Sequence, residues 1–391
     1  MKLSDRLTTI NGEPGQDDGW SVYYKAQDMQ ASGEVITMLT IGEHDRSTAD
    51  FILDAMDGSA RSGNTGYAYV LGQPGLRAAI AARYQAMTGV ETSAENVAVT
   101  TGGQAALFAC MCGTMDPGDK SVMVDPYYAT YPATVKGAGV RFETVPARAE
   151  NGFQLAEADL EAVAEGTTSL LINTPHNPTG AVYSRETLEG IARVCQHHDM
   201  WLISDEVYDS QVHEGGHLSP RALPGMEERT LVVGSMSKSH VMTGFRIGWI
   251  IGPEAFISEI KNLSNATTYG VPGFIQTAAE TALREGDQEQ GEVSALYRRR
   301  RDKAVAAVEG SCVRVSPPQG AMYVMLDVRA TGLSGEGFAL ALLDRHKIAV
   351  MPGESFGKAA VGHVRVALTI NDDAMVAALK QLAAFADELA A

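Results

Sequence analysis

Cysteine is scarce in this 391-residue chain. Its four cysteines, Cys110, Cys112, Cys195 and Cys312, form neither a disulfide ladder nor the CxxC pair of a metal centre, and no metal is expected in the functional site. Cys195 falls in helical register with Leu188, Ile191 and Ala192 and reads as core. Positive charge is short as well: 31 Lys and Arg stand against 48 Asp and Glu, a formal net charge of −17. Phosphate backbones and anionic membrane surfaces attract the opposite sign, so neither nucleic acid nor membrane is an expected partner. No apolar run approaches the roughly 20 residues of a membrane span. The opening MKLSDRLTTI lacks the apolar stretch of a secretory signal, and a reducing cytoplasm is the expected compartment. Internal repeats and low-complexity tracts are missing too. What remains is ordinary globular composition, 45% hydrophobic and 20% charged. The length suits two or three domains of roughly 150 residues each.

Short apolar runs alternate with helical patterns from about Val97 to Gly252. The expected strands are Val97–Thr100, Val122–Val124, Val140–Val145, Ser169–Ile172, Trp201–Ile203, Leu231–Val233 and Ile247–Ile251. Nearly continuous apolar runs of this kind suit a mostly parallel sheet covered by helices on both faces. Ser184, with Glu186 in the following turn, marks one helix start. The expectation is an α/β domain with a mostly parallel seven-stranded sheet, over residues 46–285. A smaller α+β domain is expected from the N-terminal arm, 1–45, together with 286–391. Its elements are Val313–Val315, a Pro317-Pro318-Gln319-Gly320 turn, Met322–Leu326, a helix Gly337–His346, apolar runs at Ile348–Met351 and Val364–Leu368, and a closing helix. The four consecutive arginines from Arg298 to Arg301 read as a solvated helix face.

Ligands of open α/β sheets gather beyond the carboxyl ends of the strands, so the polar residues at these ends carry the chemistry. Ser235-Met236-Ser237-Lys238 follows the run Leu231–Val233, and Arg246 stands eight residues past the lysine. A desolvated lysine forms Schiff bases with carbonyls, and an arginine fork with a nearby hydroxyl suits a phosphate. Pyridoxal phosphate (PLP) needs both. Thr101-Gly102-Gly103-Gln104 opens a helix after the first strand. It reads as a phosphate cradle of backbone N–H groups or as an ordinary turn. Asn173 to Gly180 contains two X–Pro steps, a rigid loop able to hold the Asn177 amide in one orientation; His176 there reads as loop packing. Asp205 ends a buried strand, where a carboxylate needs a partner. It fits the pyridinium nitrogen of PLP or the start of a helix. Tyr208 follows it within reach of the ring oxygen. Tyr128 is placed either to stack on a flat ring or simply to pack. Arg365, alone between valines, is either an edge-strand charge or a fork for a carboxylate.

Taken together, these segments resemble the class I/II aminotransferases among the fold-type-I PLP enzymes. The resemblance runs from Gly42-Glu43-His44-Asp45, through Tyr67 and Gly75-Leu76-Arg77, to Met351-Pro352-Gly353-Glu354-Ser355-Phe356-Gly357, nearly the whole chain. It implies that Lys238 binds PLP covalently and then shuttles the proton, and that Asp205 pairs with the ring nitrogen. Asn177 and Tyr208 would bond the ring oxygen, and Tyr128 would stack on the ring. Gly103, Gln104, Ser235, Ser237 and Arg246 would hold the phosphate. Tyr67 would reach it from the neighbouring subunit of a homodimer. Arg365, with Asn177 and the Gly42 backbone, would clamp the substrate carboxylate.

Three departures stand out. Tyr128 occupies a place where many relatives have tryptophan, and His44 replaces a common proline. Gln104 stands where some aspartate-using relatives carry a lysine for the distal carboxylate. The expected activity is transfer of an amino group from an L-amino acid to a 2-oxo acid. The donor is expected to be basic, arginine first, with pyruvate as acceptor. Ile203 to Tyr208, Ser237 to Gly244 and Thr331 to Ser334 are similar to arginine:pyruvate transaminases within the family. Glu13, Asp17 and Asp18 of the arm either pair with a guanidinium or belong to a solvated arm. An aspartate or broad-specificity aminotransferase, a β-eliminating lyase and a decarboxylase remain alternatives on the same motifs. A PLP-sensing regulator would need a DNA-binding segment, and none precedes Gly42.

Overall fold

The structure, a computed structural model, describes residues 1–11, 19–316 and 318–391. Glu13, Asp17 and Asp18 of the arm, and Pro317 of the turn, lie outside the described residues. Twelve strands form among the described residues: β1 Thr37–Leu39, β2 Val97–Thr100, β3 Lys120–Asp125, β4 Arg141–Pro146, β5 Ser169–Asn173, β6 Trp201–Asp205, β7 Thr230–Ser235, β8 Gly248–Ile251, β9 Arg314–Val315, β10 Tyr323–Asp327, β11 Ile348–Pro352 and β12 His363–Ala367.

Seven of them build the larger sheet in the order β2-β8-β7-β6-β5-β3-β4. Every neighbouring pair is parallel except the two that involve β8. The sequence explains this layer directly. All of Ser169-Leu170-Leu171-Ile172-Asn173 is buried, and its side chains alternate between faces. Leu170 and Ile172 pack with Leu188 and Ile191, while Leu171 packs with Leu107 and Met111. Each such leucine contributes about 1.5–3 kcal/mol by leaving water. The helix Arg185–His197 begins at Ser184, whose hydroxyl accepts the Thr187 N–H at 3.1 Å, as the sequence suggested.

The smaller sheet has the order β1-β11-β12-β10-β9. β1, a three-residue strand of the N-terminal arm, pairs in parallel with β11 and so joins the arm to the C-terminal part. Phe338, Leu342 and Leu343 of the helix Gly335–His346, with Leu379, Leu382 and Phe385 of the closing helix Asp372–Ala390, complete its core.

One expectation is overturned. Of the four arginines on the long helix Asp287–Val308, Arg300 and Arg301 are buried. Arg300 forks onto Asp45 at 2.6 and 2.9 Å, reaches Asp372 at 3.0 Å and donates to the Leu368 carbonyl. Arg301 bonds Glu214 and the Pro318 carbonyl. Buried charge survives only when paired, and here the carboxylates arrive from distant segments. Among the described residues no helix is long and apolar enough to cross a membrane.

Candidate active site

β2, β3, β5, β6 and β7 all deliver their carboxyl ends to one edge of the large sheet, and the antiparallel β8 brings its amino end there. A cavity of about 300 Å³ opens at this edge, closed on the other side by Ile41, Gly42, Tyr323 and Arg365.

One end of the cavity is built for an anion. The helix Gly103–Thr114 points its start there, and its N-cap, Gly102, sits at φ 89° with no side-chain cap. Its first N–H groups therefore remain available to a ligand. Ser235 accepts the Ser237 N–H at 3.1 Å and lies 3.0 Å from the Ser237 hydroxyl. Arg246, in left-handed backbone at φ 52°, donates to the Thr243 carbonyl at 2.7 Å. Its guanidinium lies so close to the Gly102 Cα that a Cβ there would overlap it. Gln104 borders the same end, its amide held by Thr134 at 2.5 Å and Thr130 at 3.2 Å.

Asp205 lies at the bottom, wholly buried. Its carboxylate accepts the Tyr131 hydroxyl at 2.7 Å and the Val207 N–H at 3.3 Å. Burial nevertheless pushes its pKa up to about 6, against those two bonds and with help from neighbouring Glu206. A carboxylate so raised lacks a cation, and a pyridinium N–H supplies one. Tyr208 shares a 3.0 Å hydrogen bond with Tyr323, and burial raises its hydroxyl well above the ordinary tyrosine range. Tyr128 lines the wall, edge-on to Tyr131 at 5.6 Å. Lys238 leaves the short helix Met236–Ser239, and its Nζ donates to the Gly42 carbonyl at 2.5 Å. His44 is hydrogen-bonded to Tyr297 at 2.8 Å and held neutral, its pKa lowered to about 4 by burial and then by Lys238.

The other end suits a carboxylate. Arg365 is buried between the rings of Tyr323 and Phe356, at 4.4 and 4.6 Å. It donates to Asn177 Oδ1 at 2.9 Å and to the Thr40 carbonyl, and its Nε has no partner. Burial lowers its pKa, and its partners are neutral oxygens, so a carboxylate would supply the missing counter-charge. Asn177 is fixed in turn: its N–H donates to Asn173 Oδ1 at 2.7 Å, and Asn173 donates to the Asp205 carbonyl at 2.9 Å.

The cavity thus brings together every site residue expected from the sequence except Tyr67. Tyr67 is 92% exposed and packs on Tyr269 at 5.4 Å, outside the cavity. Tyr131, Tyr323, Asn173 and Trp20 also line it and were not anticipated. Tyr131 stands three residues past Tyr128 and Asn173 four before Asn177, so their loops were marked although their roles were not. His176 packs within its loop, bonded to Thr179 at 2.7 Å and kept neutral by burial. PLP fits this donor set: an uncapped helix start with Arg246 for its phosphate, a raised carboxylate for its nitrogen, an amine for its aldehyde.

Comparison with known proteins agrees. The sequence profile of the aminotransferase class I and II family matches residues 34–382. An arginine–pyruvate transaminase, AruH, from Pseudomonas aeruginosa is 41% identical over 391 residues, covering 100% of this chain and 99% of that protein. An aspartate/prephenate aminotransferase from Thermus thermophilus is 35% identical, covering 93% of this chain and 94% of its own. The solved structure of aspartate aminotransferase from Thermus thermophilus with maleate superimposes with a TM-score of 0.92 at 32% identity, covering 98% of this chain and 99% of that one. The chain belongs to the class I and II aminotransferases and is a PLP-dependent aminotransferase.

Proposed function

We propose that this aminotransferase takes the amino group from a basic L-amino acid, arginine first, and delivers it to pyruvate. PLP bound in the cavity supplies an aldehyde that exchanges amines and a ring that stores the electrons of a Cα carbanion. The chain's own residues bind, orient and move protons. Gly103, Gln104, Ser235, Ser237 and Arg246 grip the phosphate. Asp205 keeps the ring nitrogen protonated, Asn177 and Tyr208 bond the ring oxygen, and Tyr128 lies against the ring. Lys238 anchors the cofactor covalently. With the cofactor in place, the Lys238 Nζ would serve as the acid–base group that takes up and returns the substrate Cα proton. Arg365, Asn177 and the Gly42 backbone hold the α-carboxylate, which sets the Cα–H bond toward Lys238. The two substrates share one site in turn, giving ping-pong kinetics.

The charge of the cavity wall carries the choice of donor. Among the described residues its lysines and arginines are Lys238, Arg246 and Arg365, and each has a task. Gln104 adds no cation, and Glu43 at the rim adds a carboxylate. The distal carboxylate of aspartate therefore meets no positive partner, and a polar site rejects ligands that leave groups unpaired. The name of the 41% identical relative supports the same reading. We further take 46–285 as the PLP-binding domain and 1–45 with 286–391 as the small domain. The active form is a cytoplasmic homodimer in which Tyr67 of each subunit completes the neighbour's phosphate site. Its exposed ring, beside exposed Tyr69 and Tyr269, supports that role. The test is kcat/KM for arginine, lysine, aspartate, alanine and phenylalanine, each with pyruvate and with 2-oxoglutarate. Arginine with pyruvate should lead; aspartate with 2-oxoglutarate leading would overturn the basic donor.

A further inference from the structure

Away from the cavity, the helix Glu157–Ala164 lies against the helix Arg185–His197. His197 ends the second helix and His198 is its C-cap. Both imidazoles turn to one carboxylate oxygen of the first helix. His198 Nε2 lies 2.9 Å from Glu161 Oε1, and His197 Nδ1 lies 3.5 Å from it. The three ligand atoms fall within 4.8 Å of one another. We propose that Glu161, His197 and His198 form a surface site for a divalent transition metal, zinc in the first instance.

Four observations meet there. A tetrahedral ion with bonds of about 2.0–2.1 Å needs its ligand atoms roughly 3.3 Å apart, and the two His–Glu distances bracket that spacing. A hydrogen bond to His198 alone would satisfy Glu161, yet His197 brings a second imidazole nitrogen to the same oxygen. The far nitrogen of His198, Nδ1, faces Glu165 Oε2 at 4.0 Å. A rotation of the exposed Glu165 side chain would bring that carboxylate within hydrogen-bond distance of the imidazole N–H, the role of outer partners of metal-bound histidines. The site also caps the carbonyl end of the Arg185–His197 helix, where the helix dipole favours a cation. Two imidazoles and a carboxylate select zinc, copper or nickel over magnesium or calcium, which prefer oxygen alone. None of the three residues borders the PLP cavity. The ion is therefore structural, tying the end of one helix to the middle of the other.

The test uses the full-length holoenzyme, stripped with chelator and freed of unbound PLP, titrated with zinc chloride by calorimetry. One ion per chain should bind with a dissociation constant on the order of micromolar. Tm should climb with zinc concentration, as linkage requires, and magnesium should do neither. Cobalt should give a visible d–d band of nitrogen and oxygen coordination. The double variant His197→Ala/His198→Ala should lose at least tenfold in zinc affinity and the zinc-dependent rise in Tm, while its transamination stays as in the wild type. Glu165→Gln should lose about tenfold by removing the outer carboxylate. No uptake at roughly 100 µM zinc overturns the proposal. Equal uptake by the double variant, an adventitious ion elsewhere on the surface, overturns it as well.

Discussion

Replacing Asp205 with asparagine should strengthen the cofactor-free protein while disabling the loaded one. Asp205 is fully buried, and its pKa rises from 3.8 to about 6 because burial outweighs the Tyr131 and Val207 hydrogen bonds. A shift of some two units corresponds to about 3 kcal/mol. The sign follows from proton binding. The folded chain holds this proton more tightly than the unfolded chain, so the contribution is complete below the unfolded value and lost as pH rises through about 6. At pH 8 the cofactor-free protein therefore carries an ionised, cation-less Asp205. Asparagine removes that charge and keeps an oxygen for Tyr131, while the contact with the Val207 N–H suffers, at about 1 kcal/mol. The net gain at alkaline pH is about 2 kcal/mol, or roughly 2–3 °C in Tm for a chain of this length. Differential scanning of both cofactor-free proteins at one concentration, from pH 8 to 5.5, measures it, and the difference should shrink as pH falls. With PLP bound the order reverses, because asparagine offers the ring nitrogen no charge. A cofactor-free Asp205→Asn protein no more stable than wild type at pH 8, or a difference flat in pH, would refute the reasoning.

Gly102→Ala should raise the dissociation constant for PLP at least tenfold, about 1.4 kcal/mol, because its Cβ would displace the Arg246 guanidinium and its φ of 89° is already strained for alanine; equilibrium dialysis reads this, and unchanged affinity would remove Arg246 from the phosphate grip. Arg365→Lys replaces a stacked, forked contact by a point charge and should lower kcat/KM for amino donors by about 2–3 kcal/mol, 30-fold or more. The losses should be alike for arginine and alanine as donors, since both carry the same α-carboxylate, and a loss confined to one side chain would contradict the assignment. Mixing Tyr67→Ala with Lys238→Ala chains under subunit exchange should yield hybrids with one complete site and activity well above either variant alone; confirmed hybrids without it would exclude a shared site.

Much of the large sheet was legible because strands buried on both faces must be apolar without interruption, as Leu170-Leu171-Ile172 is. Polar residues that follow such runs stand out, and Asp205, Asn177 and Lys238 do. Elements secured by distant partners were not legible. β1 is three residues long, and its pairing with β11 leaves no local pattern. The Arg298–Arg301 run looks solvated until Asp45, 255 positions away from Arg300, closes onto it. Tyr131 and Tyr323 are ordinary tyrosines in sequence; only the fold sets one against Asp205 and the other against Tyr208. Tertiary neutralisation leaves no trace in periodicity.

Arg365 bonds Asn177, 188 positions earlier, and Thr40, 325 positions earlier. Synthesis runs from the N-terminus, and domains of a growing chain fold as they emerge. A ribosome-bound chain that has just finished the large sheet already holds Lys238 and Asn177, while Arg365, the partner of Asn177, is still to be made. The Asn177 side chain therefore reaches its final hydrogen-bond pattern only when β12, the last strand among the described residues, is in place.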